Sequence, residues 1–434
     1  MVIARTPLAV LATAVAALAV TAPAPVQAAA PPPAVTPRAE TAALHDDAAG
    51  GDADADDPAI WRNGADPDRS LVIATAKQGG LRVYDLDARA VQSVAAPAAP
   101  GPDDAPGRFN NVDLVHSARL SDLAVTTDRG SDRLRVYRID RDRPGGPLKD
   151  VTDPKAPAVF STSQAEINEQ RTAYGLATWT DRRTGRSFAL VSQRERTRLA
   201  LLELTAQRNG SVGYRPLRTL DLPSTFRMPN GTSWSPCAEP GELPQVEGMV
   251  VDPASGTLYA GQEDVGIWRL RADLTGTPKL VDTVREYGVP GTYDEATEEC
   301  VAGADPGFGG THLTADVEGL TLVAQKGGDG LLLASSQGDN TFAAYHRDAS
   351  ERSENGNKSG HEYAGGFRVT PASATLDGSE ECDGAAALNA PLGRRYPHGL
   401  LVVQDGHDAP GDPGRASTNF KFVDLREVTD AVDD

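Results

Sequence analysis

Asp52, Asp54, Asp56 and Asp57 crowd four carboxylates into six positions of "GDADADDPAI", a density that invites a cation. The helix–loop–helix calcium template does not fit, because it needs glycine at its sixth position and glutamate at its twelfth. Counted from Asp52, those positions hold Asp57 and Asn63. Further acids stand in short, similar contexts: Asp113 in "NNVDL", Glu247 in "VEGM", Glu263 and Asp264 in "EDVGIW", Asp316 and Glu318 in "ADVEGL", Asp377 and Asp383 in "DGSEECDG", and Asp405 in "VVQDG". Three cations, Lys77, Arg129 and Arg194, occupy polar stretches between apolar runs, with Glu195 beside the last. Two carboxylates about 4 Å apart repel by roughly 4 kcal/mol at an effective dielectric of about 20. Convergent acids therefore need protons or metal. Oxygen donors without His or Cys suit a hard ion such as Ca²⁺. Metal and guanidinium together grip phosphate oxygens, so the combination predicts a phosphorylated ligand held by obligatory calcium. Taken singly, "EDVGIW" or "DGSEECDG" reads equally well as a solvated turn. A glutamate opening an apolar strand and followed by glycine, as in both "VEG" stretches, is not a usual solvated position.

These residues are far apart in the chain, and a repeat is what would gather them. Six times an apolar β run, a polar tip and a second β run recur, at 71–86, 122–139, 188–204, 257–270, 331–347 and 400–425. Such runs flanking Gly, Asp, Asn or Ser read as hairpins. Each is preceded by another short strand candidate: "DDPAIW", "NNVDLV", "YGLATW", "EGMVVD", "EGLTLV" and "DGAAAL". The repeat predicts an all-β, six-bladed β-propeller; a β-sandwich of many hairpins is the alternative. From Asp57 to Lys77, Asp113 to Arg129, Tyr174 to Arg194, Glu247 to Glu263, Glu318 to Gln337 and Asp383 to Asp405, the gaps run from 16 to 22 residues. If the upstream strand is innermost in each blade, one axial mouth collects all of these side chains.

Composition bounds the class. Residues 1–28 read as an export signal, with Arg5, a short apolar run and the exit Val26-Gln27-Ala28. Residues 29–45 are rich in proline and alanine and are expected to be a disordered leader. Residues 46–434 are expected to form a single propeller domain. No later stretch reaches the roughly 18 uninterrupted apolar residues of a membrane helix. A formal charge of −19 argues against nucleic acid. The expected protein is secreted, binds neither membrane nor nucleic acid, and is a monomer, since a closed propeller leaves few open edges.

"DDPAIW", "NNVDL", "VEGM", "EDVGIW", "ADVEGLT", "LASSQG" and "VVQDG", in this order across residues 46–425, resemble the β-propeller phytases, the calcium-dependent alkaline phytase family. The resemblance implies removal of phosphate from myo-inositol hexakisphosphate by direct attack of a calcium-activated water, using several Ca²⁺ ions and no phospho-enzyme. It implies metal ligation by Asp56, Asp57, Tyr174, Glu247, Glu263, Asp316, Glu318 and Asp377. It also implies phosphate gripping by Lys77, Arg129 and Arg194, with Glu195 and Tyr174 alongside in catalysis. Arg194 stands where better-known members carry lysine, Gln262 replaces an acid, and Glu40 is a candidate N-terminal ligand. Consistently, the sequence has no RHGxRxP stretch, no thiol-phosphatase loop and no G-x-S-x-G elbow. Cys237 and Cys300 precede the two "VEG" strands and are the expected disulfide, leaving Cys382 free. A lactonase- or esterase-like calcium propeller and a non-catalytic, calcium-stiffened propeller are the alternatives.

Overall fold

Strands such as Leu71–Thr75 are apolar at consecutive positions, a pattern that fits burial on both faces. Val72 and Ala74 belong to one apolar cluster with Val402 and Phe420, whereas Leu71 and Ile73 belong to another with Phe109 and Ala124. The period-two alternation thus serves two neighbours at once. In the computed structural model, which describes residues 31–325, 329–347, 361–411 and 414–433, residues 32–434 form one compact unit. Residues 1–28, expected as an export signal, lie outside the described residues.

Six sheets, antiparallel except for one added edge strand, make the six blades. Their innermost strands are Pro58–Trp61, Phe109–Ser117, Ala173–Thr180, Val246–Asp252, Val317–Ala324 and Ala385–Leu388. Each contacts the next, and the last contacts the first. The six apolar cores lie between blades, each built from the facing sides of two neighbours. This is a β-propeller and not a sandwich. An axial channel of ≈ 530 Å³ is lined from every inner strand, by residues such as Ile60, Val112, Leu176, Met249, Leu320 and Ala386.

The leader is folded from residue 32 onward, contrary to the expectation of disorder. Ala34–Val35 adds a parallel strand to Tyr363–Val369. Ala39–Glu40 and Leu44–His45 pair antiparallel with Ser417–Asp424, in the registers Ala39↔Phe422 and Leu44↔Thr418. The sixth blade is therefore completed by residues 39–45. Strand addition draws on backbone N–H and C=O groups, so an alanine- and proline-rich composition does not reveal it.

Four inner strands change register at their first residues, between Phe109 and Val112, Ala173 and Leu176, Val246 and Met249, and Val317 and Leu320. Such bulges re-aim side chains, here those at the mouth end. The following glycine has a packing reason. A Cβ on Gly248 would lie 1.6 Å from the Glu318 carbonyl oxygen, and one on Gly175 would lie 2.1 Å from that of Glu247. Gly248→Ala should therefore force two inner strands apart, costing about 3 kcal/mol. A lowered denaturation midpoint together with reduced activity checks this.

Candidate active site

Glu247 and Glu318 leave the bulged starts of two adjacent inner strands, and Glu263 follows the strand Thr257–Gln262. All three are buried, each offering a carboxylate oxygen within 4.8 Å of the others. Hydrogen bonds fix their orientation. Glu247 accepts from the Tyr174 hydroxyl and from Asn110 Nδ2 at 2.7 Å. Glu263 accepts from Gln245 Nε2 at 2.9 Å. Gln337 Nε2 donates to both Glu318 (3.0 Å) and Asp383 (2.7 Å).

Electrostatics shows how unfavourable this gathering is without a counter-ion. Burial, then the charge of Asp383, pushes Glu247 up to about 7. Burial followed by neighbouring carboxylates likewise raises Glu263, Glu318 and Asp56 well above their ordinary range. Asp264 rises to about 7 through burial and then Asp316 and Glu286. Asp316 is itself raised, by burial and then by Asp383. Asp57 is raised by burial, although its carboxylate accepts from the Val112 amide at 3.0 Å. Asp56 Oδ1 and Glu263 Oε1 are buried without any hydrogen-bond partner. Orphaned anionic oxygens beside a convergent trio fit a hard divalent ion.

The cations occupy the tips of the first three hairpins. Lys77 has φ 42° and places Nζ 3.5 Å from Asp383 Oδ2 and 3.9 Å from Asp54 Oδ2. Burial alone would depress Lys77, but Asp383, Asp56, Asp54 and Glu247 together hold it above its ordinary value. The Arg129 guanidinium lies 5.6 Å over the Tyr174 ring and donates to Asn110 Oδ1 at 3.4 Å. Arg194 pairs with Glu195, which Arg171 Nε also approaches at 3.3 Å. Gln245 accepts from the Glu195 amide at 2.7 Å while donating to Glu263. Acids and cations thus belong to one network, joined through Asn110, Gln245 and the Lys77–Asp383 pair.

Asp56, Asp57, Tyr174, Glu247, Glu263, Asp316 and Glu318 are brought together with Lys77, Arg129, Arg194 and Glu195. Asp377 is not among them. It pairs with buried Lys421, which also binds Glu40 at 2.6 Å and Asp405 at 3.0 Å. With Glu40 and Asp408 it forms a second acidic group. Asp383, which the expected ligand set omits, stands in the mouth beside Lys77 and Gln337. Asp113 also leaves the rim, accepting from the Thr178 amide (2.6 Å) of the next blade. Asn110, Gln245, Gln337 and Asp264 are site neighbours that the ligand set omits. The expected disulfide joins Cys237 to Cys300, with Cα atoms 6.0 Å apart, and Cys382 is free and buried. None of the described helices is long and apolar enough to cross a membrane.

The family model described as "Phytase" matches residues 4–227 and 242–434. A 3-phytase of Bacillus subtilis (strain 168) is 33% identical over 401 residues, covering 91% of this chain and 84% of the relative. Among solved structures, regucalcin from Agrobacterium tumefaciens, described as a calcium-binding protein, gives a TM-score of 0.44 at 10% identity over 90% of this chain and 96% of its own. A putative 6-phosphogluconolactonase from Bacteroides uniformis gives 0.35 at 16% identity, covering 67% and 66% respectively. These structural likenesses are too low to argue from, whereas the sequence matches decide against the lactonase and non-catalytic alternatives. The chain belongs to the phytase family and is a phosphoric monoester hydrolase.

Proposed function

We propose that this phytase is secreted, acts as a monomer and depends on several calcium ions held by Glu247, Glu263 and Glu318 with Asp56, Asp57, Asp316, Asp383 and Tyr174. The observation that carries the proposal is the buried trio of carboxylates with two orphaned oxygens, set beside cations. Calcium bound there would offset the anionic charge and acidify water for direct attack on phosphorus. Lys77, Arg129 and Arg194 bind the phosphate oxygens, and Arg129 is steered by Asn110 and the Tyr174 face. Tyr174 and Asn110 hold Glu247, Gln245 holds Glu263, and Gln337 holds Glu318 against Asp383. No side-chain nucleophile is called for: the Cys382 thiol is buried and pushed far up, by burial first and then by Asp383. The disulfide and the signal-like first 28 residues support an exported protein. Stripping metal should abolish phosphate release from phytate, and added Ca²⁺ should restore it. Undiminished release in excess chelator would overturn the proposal.

A further inference from the structure

Residues 228–241 fall between the two stretches matched by the family model, and they carry Cys237. The segment is built onto the fourth blade. Phe226 and Trp234 pack with Tyr287 at ring distances from 4.8 to 5.7 Å, and Phe226 lies 6.3 Å from Trp268 of that blade. Trp234 Nε1 donates to the Val289 carbonyl at 2.7 Å. The disulfide then ties Cys237 to Cys300 on the hairpin of Gly291–Asp294 and Glu299–Ala302. At the far end, buried Gln262 donates to the Pro244 carbonyl at 2.8 Å and accepts from Trp268 Nε1 at 2.9 Å. Residues 237–245 are thus anchored at both ends.

What they hold is the third hairpin tip. Glu195 has φ 55°, left-handed backbone that a residue with a side chain keeps only where its surroundings over-determine it. Its amide donates to Gln245 Oε1 at 2.7 Å, and its carbonyl accepts from the Leu243 amide at 3.2 Å. Arg196 Nη1 adds a bond to the Gly241 carbonyl at 3.0 Å. Gln245 also faces the acids: its Nε2 donates to Glu263 Oε2 at 2.9 Å, and its carbonyl accepts from the Glu263 amide at 3.2 Å. One side chain therefore spans the neighbour of Arg194 and a member of the carboxylate trio.

We propose that Gln245 is a positioning residue of this reaction, setting the Arg194 grip against the metal-binding trio, and that the disulfide-tethered segment 237–245 holds it there. The inference rests on the roles given to Arg194 and Glu263. Without the Gln245 side-chain oxygen, the Glu195 amide loses its acceptor, the left-handed turn relaxes, and Arg194 leaves its place. Without the Gln245 Nε2–H, Glu263 turns away from its two partners. Both losses come together because one side chain makes both bonds. Opening the disulfide frees the segment without altering any group that touches substrate or metal.

The test compares wild type, Gln245→Met and the double substitution C237S/C300S, each with and without Arg194→Ala, by phosphate release from phytate across calcium concentrations. Q245M should raise KM about tenfold, the upper worth of a hydrogen bond, and should raise the calcium concentration for half-activity. Its kcat at saturation of both should stay within about threefold. C237S/C300S should raise KM about threefold. In the R194A background neither change should move KM by more than about twofold, because residues acting through one another are not additive. An unchanged KM in Q245M overturns the assignment. So does a KM rise of equal size without Arg194, which would mark a general loosening of the mouth. A lowered unfolding midpoint with unaltered KM gives Gln245 a role in stability alone and also overturns it. A KM unmoved by loss of the disulfide overturns the part given to the segment. If Q245M does not fold, as judged by its unfolding midpoint, C237S/C300S decides by the same cycle. Undiminished phosphate release by wild type in excess chelator would instead defeat the parent reading.

Discussion

Glu318→Gln should cut phosphate release from phytate by more than about a hundredfold, beyond the usual cost of losing a mere outer-sphere partner of a metal. The same substitution should raise the thermal midpoint of the metal-free protein. Both outcomes come from one charge. Glu318 lies within 4.8 Å of Glu247 and Glu263, and at such separation an ionised pair repels by a few kcal/mol at an effective dielectric of about 20. Glutamine removes the repulsion while still offering an oxygen to Gln337. For the same reason it weakens a calcium site and withdraws charge from the reacting centre. Unfolding in chelator and a phosphate assay at saturating calcium provide the two readings. A variant less stable in chelator would mean that Glu318 is held mainly by hydrogen bonds, and the metal assignment would fall.

Without metal, stability should fall as pH rises from about 4.5 to 7, the reverse of a protein with salt-bridged carboxylates. The sign follows from Glu247, whose carboxyl is lifted from 4.5 to about 7 by burial first and then by Asp383. A raised folded-state value means that the native protein holds a proton the unfolded chain has released. Its contribution is complete below the unfolded value and is lost through the folded one. Glu247 alone accounts for about 3 kcal/mol, and Asp264, Glu263 and Glu318 are displaced in the same direction. Calcium should cancel the loss, bind more tightly as pH rises, and release protons on binding. Denaturant midpoints across this window, in chelator and in calcium, check the claim. A metal-free stability that stays flat or climbs would refute it.

The blades were legible because strands buried on both faces read as apolar runs, and polar tips punctuate them. The mouth was legible because Glu247 and Glu318 break that rule at the same place in two copies. The same position in the sixth copy is Asp383, directly before Gly384. Asp377 precedes a glycine too, but six residues early, and groups with Glu40 and Asp408. Other features depend on contacts between blades that local sequence does not carry. Gln337 bonds Asp383 across 46 positions, and Gln245 bonds Glu195 across 50. The strands at 34–45 were hidden because their partners are backbone groups hundreds of residues away.

The pairing of residues 39–45 with residues 417–424 has a consequence for biosynthesis. Lys421 and Glu40 are 381 positions apart, so the ring cannot shut until synthesis has passed the strand Ser417–Asp424. A prematurely terminated product keeps an unmated strand at each end of the interrupted ring, open to aggregation or proteolysis. Circular closure therefore acts as a length inspection: only a chain made through residue 424 gains the protection of a continuous ring of blades.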